Sequence, residues 1–204
     1  SDKEWKFLTV VSANRLTAQD TKEYMVDGIK VIHKQVPKDV ISVQLFIEGG
    51  TANCTKDKQG IENLTLNLMM DGGTTGMSKL EFKSAAEKIG TTFNAGSNID
   101  AGTLSMNCIK LFWDDSWKLF SDAILHPAFG EAEYNLLREQ LIAGAQQSMA
   151  DPDTYLALLS RQVAFENKDY AKAPEGTPET LTGITLDDVK TYYKKTIGKK
   201  RVFL

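Results

Sequence analysis

The sequence predicts an α+β fold, in which helices pack on one face of a mainly antiparallel sheet. Short strand patterns joined by a tight turn come first, and helical patterns follow in clusters rather than alternating regularly with strands. The 204 residues are 42% hydrophobic, which is enough to bury a substantial core. The sequence contains no internal repeat and no low-complexity tract, so we expect a single domain over residues 22–204.

Strand patterns open the chain. Residues 24–26 and 29–34 are β-type segments separated by Asp27 and Gly28. That pair suits a type I′ hairpin turn, because such a turn needs positive φ at both central positions. Further strands are expected at residues 40–48, 91–95 and 103–111.

Helical patterns occupy most of the remaining sequence. Ile61, Leu64 and Leu68 recur at helical spacing, which indicates one apolar face. Ser78 and Glu81 have the spacing of a capping box, in which the two side chains satisfy free amides at the start of a helix. The expected helices cover residues 58–70, 79–89, 113–125, 131–149 and 154–165, and a last helix begins at Thr185.

Composition excludes several function classes. The net charge is -3 at pH 7 and there is no polybasic run, which argues against binding to nucleic acid or to a membrane surface. No apolar run approaches the length of a membrane span. Cys54 and Cys108 are too few for a disulfide framework in a chain of this length. Cys108 alternates with Leu104 and Met106, which is typical of core packing, so the cellular compartment stays open.

Both ends of the sequence suggest a fragment of a longer chain. Residues 1–21 contain a short apolar stretch at 7–11, but charged and polar residues bracket it too closely for a signal peptide. A linker, or the end of a preceding segment, is the better interpretation. Residues 201–204 have the pattern of an opening strand, and natural proteins seldom end inside a strand.

Four stretches resemble a known family when they are taken in order. Residues 47–51 follow the hairpin as I-E-G-G-T, and the stretch 60–74 contains most of the first predicted helix. Residues 90–95 have the pattern G-x-x-x-N-A, with Asp100 after them. Residues 176–193 contain G-T-P-E-T-L and I-T-L-D-D-V, followed by two tyrosines. Together they resemble the insulinase/pitrilysin family of zinc peptidases, which includes the mitochondrial processing peptidases.

The resemblance fails at the residues that perform the chemistry. Active members carry H-x-x-E-H on the first long helix, where two His bind zinc and the Glu is the general base. Alignment from the start of that helix gives these roles to Asn63, Leu66 and Asn67. The third ligand of active members, a Glu in a later helix, falls on Ala143 or Gly144. All four groups are therefore missing, and the resemblance implies a domain with no catalytic residue and no metal site.

Active members of the family are built from paired domains that close around a chamber, and usually one domain carries the zinc. The resemblance therefore implies an inactive domain that forms part of the substrate chamber and binds a homologous zinc-bearing domain or subunit. Zinc is expected only in that partner, and a peptide substrate is the second expected partner. The alternative is a non-proteolytic scaffold subunit of a larger complex, as some relatives are. His33 and His126 are the only histidines, and the resemblance places neither beside the motif.

In active relatives the peptide lies along a sheet edge as an added strand. The matching edge here spans residues 91–100. Asn94, Gly96, Ser97 and Asn98 are small or polar, which suits a surface that accepts many side chains. The same residues are also common in turns at strand ends, and the sequence leaves both interpretations open.

If the predicted helix binds no metal ion, the side of it that holds the metal in active members is free to pack against the rest of the domain. We expect Leu66 and Met70, one turn apart, to be substantially buried. We expect Asn63 and Asn67 to form hydrogen bonds, because a buried amide without a partner is costly.

Overall fold

A computed structural model describes residues 21–198 and 201–204 of the chain, and residues 1–20 of the predicted linker lie outside the described part. Six strands form one sheet in the order β1-β2-β6-β3-β5-β4. The strands are β1 (Thr21–Val26), β2 (Ile29–Lys34), β3 (Val40–Glu48), β4 (Thr92–Ser97), β5 (Ala101–Ile109) and β6 (Val202–Phe203). Neighbouring strands run antiparallel, except that β6 is parallel to β2.

Seven α-helices accompany this sheet in the described part of the chain. They are α1 (Ile61–Asp71), α2 (Lys79–Lys88), α3 (Trp113–Leu125), α4 (Glu131–Ala150), α5 (Pro152–Ala164), α6 (Pro178–Gly183) and α7 (Leu186–Thr196). None of those that the structure describes is long and apolar enough to cross a membrane.

The helices cover one face of the sheet. Val43, Leu45 and Ile47 of β3 are buried, and their register places them beside Leu104 and Met106 of β5. The intervening residues of both strands are exposed or half-buried. Side chains of a strand alternate between its two faces, so this pattern means that one face is covered and the other is open to solvent. The predicted α+β class and the single helical face are confirmed.

Helix α1 is the central helix of the core. Leu64, Leu68 and Met69 have at most 1% of their surface exposed. The helix packs on β4 and β5 and also contacts α3, α4 and α7. Each fully buried side chain of this size contributes about 1.5–3 kcal/mol. The apolar face that the sequence predicts for this segment therefore holds the sheet and the other helices together.

Two helices begin elsewhere than the sequence predicts. The helix expected from residue 58 starts at Ile61, because Gly60 adopts a left-handed conformation with φ 87° and residues 56–58 form a separate 3₁₀ turn. The helix expected from residue 154 starts at Pro152. Proline is well suited to the first helical position, where no N–H is needed, and the Asp151 side chain caps the helix by accepting a hydrogen bond from Thr154.

Two strands and one helix also depart from expectation. The strands predicted at 91–95 and 103–111 are Thr92–Ser97 and Ala101–Ile109, because the turn between them is shorter than expected. Helix α6 was not predicted. Its six residues are too few to show a helical period, although Thr177 and Thr180 form a capping box at its start.

The predicted cap at Thr185 starts helix α7. The Thr185 hydroxyl accepts a hydrogen bond from the Asp188 N–H at 3.1 Å, and the Asp188 carboxylate accepts one from the Thr185 N–H at 2.8 Å. Lys58 approaches the same carboxylate to 2.7 Å, so the cap also holds the start of α7 against the segment before α1.

Replacing Thr185 with alanine should lower the free energy of unfolding by about 1 kcal/mol, because one amide at the start of α7 loses its side-chain acceptor. Thr191→Ala, at an exposed position within the same helix, is the control and should not lower the stability, because alanine favours the interior of a helix. Urea denaturation of both variants measures the difference. Equal stabilities would contradict the role assigned to this cap.

Candidate functional site

Helix α1 presents the two asparagines of the degenerate motif on one side. The Asn67 Nδ2 donates hydrogen bonds to both the backbone oxygen and the Oδ1 of Asn63, each at 2.8 Å. The expectation that these amides find partners is confirmed. The side-chain donor of Asn67 and the side-chain oxygen of Asn63 are thus already used within the helix, instead of pointing together toward a third atom.

Leu66 lies on the side of the helix that faces the sheet. It is completely buried, and Met70 is 6% exposed, as expected. A Cβ atom added to Gly102 of β5 would lie 2.7 Å from a Leu66 methyl carbon, so the glycine is what lets helix and strand approach this closely. The position that would hold a general base is therefore a packing contact between α1 and the sheet.

A cavity of about 480 Å³ brings two motif positions together. It lies between α1, α4 and α5 and the segment 173–177, and both Asn63 and Gly144 line it. Gly144, and not Ala143, is therefore the position that shares a space with Asn63. Leu66 and Asn67 do not line the cavity. The structure thus places the first and the third ligand position beside one cavity.

These residues do not fit a zinc ion. Asn63 and Asn67 offer neutral amides, which are much weaker zinc ligands than imidazole, and Gly144 offers no side chain. His33 lies on β2 and His126 pairs with Asp122 after α3, at 2.9 Å. Across residues 21–198 and 201–204, no three His, Cys, Asp or Glu side chains are grouped so that they could hold a metal.

A second and larger cleft, of about 1030 Å³, lies between α2 and α3. Its lining includes Leu80, Lys118 and His126 but none of the motif positions. The cavity beside Asn63, though smaller, is therefore the one that two of the degenerate motif positions line.

A buried carboxylate beside the motif was missed by sequence reasoning. Glu62 of α1 is 4% exposed and accepts hydrogen bonds from the hydroxyls of Tyr192 at 2.5 Å and Ser97 at 2.9 Å, and from Asn53 at 3.5 Å. Burial raises the pKa of the Glu62 carboxyl, and the three hydrogen bonds and the positive charge of Arg201 only partly offset this. Burial also raises the pKa of the Tyr192 hydroxyl.

One signal for Glu62 was present in the sequence. It precedes Leu66 by four residues, so it lies on the same apolar face of α1. A charged residue on a face that is otherwise apolar indicates a buried polar contact. The partners Tyr192 and Ser97 come from α7 and β4, and no local pattern could have identified them.

The predicted peptide-binding edge is an edge of the sheet. Among the described strands β4 pairs with β5 alone, so one side of β4 has no strand beside it. Asn94 is exposed and Gly96 is half-buried. Ser97 turns its hydroxyl inward to Glu62, and the Asn98 N–H closes the turn before β5 at 2.9 Å. Three of the four residues thus belong to the open strand, although the Ser97 hydroxyl is already used, and Asn98 belongs to a turn.

The family profile described as Insulinase (Peptidase family M16) matches residues 30–176 of the chain. A curated relative, the "Non-peptidase homolog YmxG" of Helicobacter pylori, is 23% identical over 185 residues, which are 91% of this chain and 42% of that protein.

Solved structures show the same fold. The peptidase M16 inactive domain from Pseudomonas fluorescens superposes with a TM-score of 0.83 at 19% identity, covering 90% of this chain and 45% of that one. A chain of complex III2 from Candida albicans superposes with a TM-score of 0.72 at 18% identity, covering 89% and 41%. The chain thus spans less than half the length of each of these proteins.

Replacing Glu62 with glutamine should change the pH dependence of stability. A raised pKa in the folded state means that folding favours the protonated carboxyl. Its stabilising effect is complete below the ordinary pKa of Glu, about 4.3, and is lost as the pH rises through the raised value. The stability of the wild type relative to Glu62→Gln should therefore fall as the pH is raised from about 4.3 toward neutral.

Urea denaturation across that range measures this difference. Glu87→Gln, at an exposed position of α2, is the control and should follow the wild type at every pH. If the difference in stability between Glu62→Gln and the wild type is the same at every pH, the pKa of the Glu62 carboxyl is not raised in the folded state.

Proposed function

The chain belongs to the insulinase family, peptidase family M16, and from this membership we propose that it is a catalytically inactive peptidase-like domain. In this proposal it forms part of a substrate chamber and binds a homologous, zinc-bearing half. The proposal depends on the residues that occupy the positions of H-x-x-E-H on α1. Asn63 and Asn67, which are hydrogen-bonded to each other, replace the two His, and the buried Leu66 replaces the Glu.

Two further observations support it. No residue present at the motif can take a proton from water, because Leu66 is apolar and Asn63 and Asn67 are amides. The relatives include proteins whose names describe them as a non-peptidase homolog and as an inactive domain. Their greater length leaves room for a second domain of this size, which is the kind of partner that the proposal requires.

A scaffold role is the second candidate. One observation favours it, namely the likeness in fold to a chain of complex III2. A scaffold subunit would present surfaces to other subunits and would have no need of an open strand that holds peptide. Peptide binding at β4 therefore separates the two candidates.

The isolated chain should hold no zinc and cleave no peptide, and rebuilding the motif should not restore either property. In the variant Asn63→His, Leu66→Glu, Asn67→His, the new carboxylate would lie in the core beside Gly102, which Glu62 also contacts. Two adjacent buried carboxylates repel each other, and a buried charge without a partner costs about 3–5 kcal/mol. The third ligand would still be missing at Gly144.

Elemental analysis after dialysis, a peptide cleavage assay and urea denaturation test this. The double variant Asn63→His, Asn67→His is the control that should fold normally and still lack activity. One equivalent of zinc retained by the unmodified chain, together with cleavage that a chelator stops, would refute the proposed function.

The open side of β4 should hold an extended peptide weakly, through main-chain hydrogen bonds. Only alternate N–H groups of an added strand point toward the sheet. N-methylation of one alternate set of peptide residues should therefore abolish binding, and N-methylation of the other set should leave it intact. Chemical shifts of the Asn94 and Gly96 amides in the labelled chain report the binding. Equal binding of both methylated peptides would exclude β4 as the site and favour the scaffold role.

A further inference from the structure

The cavity beside Asn63 is lined by a half-buried arginine that forms no ion pair within the described part of the chain. Arg161 of α5 lines it, and the Arg161 Nε is shielded from solvent and has no hydrogen-bond acceptor among the described residues. None of the six ion pairs found in the described part of the chain includes Arg161. A shielded guanidinium N–H without an acceptor is costly, so a ligand that supplies an acceptor here would be stabilised.

The remaining wall of the cavity is mainly apolar. Leu141, Met149 and Leu158 come from the facing sides of α4 and α5. Gly144 contributes no side chain, and a Cβ atom added there would meet nothing within 4 Å, so the cavity has free space at this point. Its volume of about 480 Å³ lies within the range of small-ligand sites, about 300–1,000 Å³.

From these features we propose that the cavity binds a carboxylate carried on an apolar group, with Arg161 as its anchor. The Arg guanidinium presents parallel N–H donors that match the two oxygens of a carboxylate. The apolar group would lie against Leu141, Met149 and Leu158. The C-terminus of a peptide that ends in an apolar residue has this chemistry, and so does a medium-chain fatty acid.

The charge of the cavity favours a singly charged ligand. Arg161 is the one cationic residue of the lining, and the exposed Glu175 lies at its rim. A dianionic phosphate would leave one charge uncompensated in a largely apolar space, and Glu175 would repel it more strongly than it repels a monoanion. Every residue that lines the proposed carboxylate site belongs to this chain, so the 204-residue chain can be tested without a partner domain.

The probes are acetyl-Ala-Leu with a free carboxylate, acetyl-Ala-Leu amide, octanoate and inorganic phosphate. We expect at least one of the two carboxylates to shift the backbone amides of Asn63, Gly144 and Thr177 in NMR titrations, and the stronger one identifies the source of the ligand. The amide and phosphate should bind far more weakly. No shift with either carboxylate, or equal affinity for the amide or for phosphate, would overturn the proposal.

Two variants locate the site. Arg161→Gln should weaken binding by about 10- to 100-fold, because it removes a charge-assisted hydrogen bond. Gly144→Leu should fill the free space and abolish binding, while its folding is checked by thermal denaturation. Lys195→Gln removes one positive charge from an exposed position of α7 and is the matched control, which should bind normally. Unchanged affinity in Arg161→Gln would show that Arg161 is not the anchor.

Discussion

The close approach of α1 to strand β5 at Gly102 is the contact on which the rest of the structure depends. Because a glycine lies under the helix, Leu66 and the carboxyl group of Glu62 both fit against the strand. The helix then has neighbours on all other sides, in α3, α4 and α7. The position of α1 on the sheet therefore determines where α4, which lines the cavity, and α3 and α7, which complete the core, can pack.

The same contact explains how the chain tolerates a carboxylate in its core. Glu62 lies where α1, α7 and β4 meet, and each neighbouring segment supplies a hydrogen-bond donor, from Tyr192, Ser97 and Asn53. A fully partnered carboxyl of this kind links elements that are distant in sequence, and it requires them in one arrangement. In this domain the polar residues beside the motif thus serve the packing of the fold and not a reaction.

Much of the fold could be predicted from the sequence because its signals are local. Three kinds of signal depend only on residues that are close together in the sequence. They are the hairpin turn at Asp27 and Gly28, the capping boxes at Ser78 and Thr185, and the apolar face of α1. The degenerate motif was equally visible, since it depends on spacing within one helix. The choice between Ala143 and Gly144 was not, because counting along a helix cannot show which side faces another helix.

The features that escaped prediction depend on contacts between distant segments. Helix α6 is shorter than a helical period can reveal. The partners of Glu62 lie on separate elements. The cavity and the unpaired Arg161 exist only because α4 and α5 meet α1 at a particular distance. Such features follow from tertiary packing, which a single sequence does not encode in any short pattern.

The place of β6 in the sheet has a consequence for how the chain acquires its structure. Phe203 pairs with both Lys30 of β2 and Phe46 of β3, so β6 fills the gap between two strands that lie far before it in the sequence. The facing edges of β2 and β3 therefore stay unpaired until residues 202 and 203 have been synthesised and have reached them. Pairings of such long range form slowly, and open edges invite association with other chains. Closure of this sheet thus depends on a contact between residues about 170 positions apart, and the two open edges are exposed to wrong pairing until it forms.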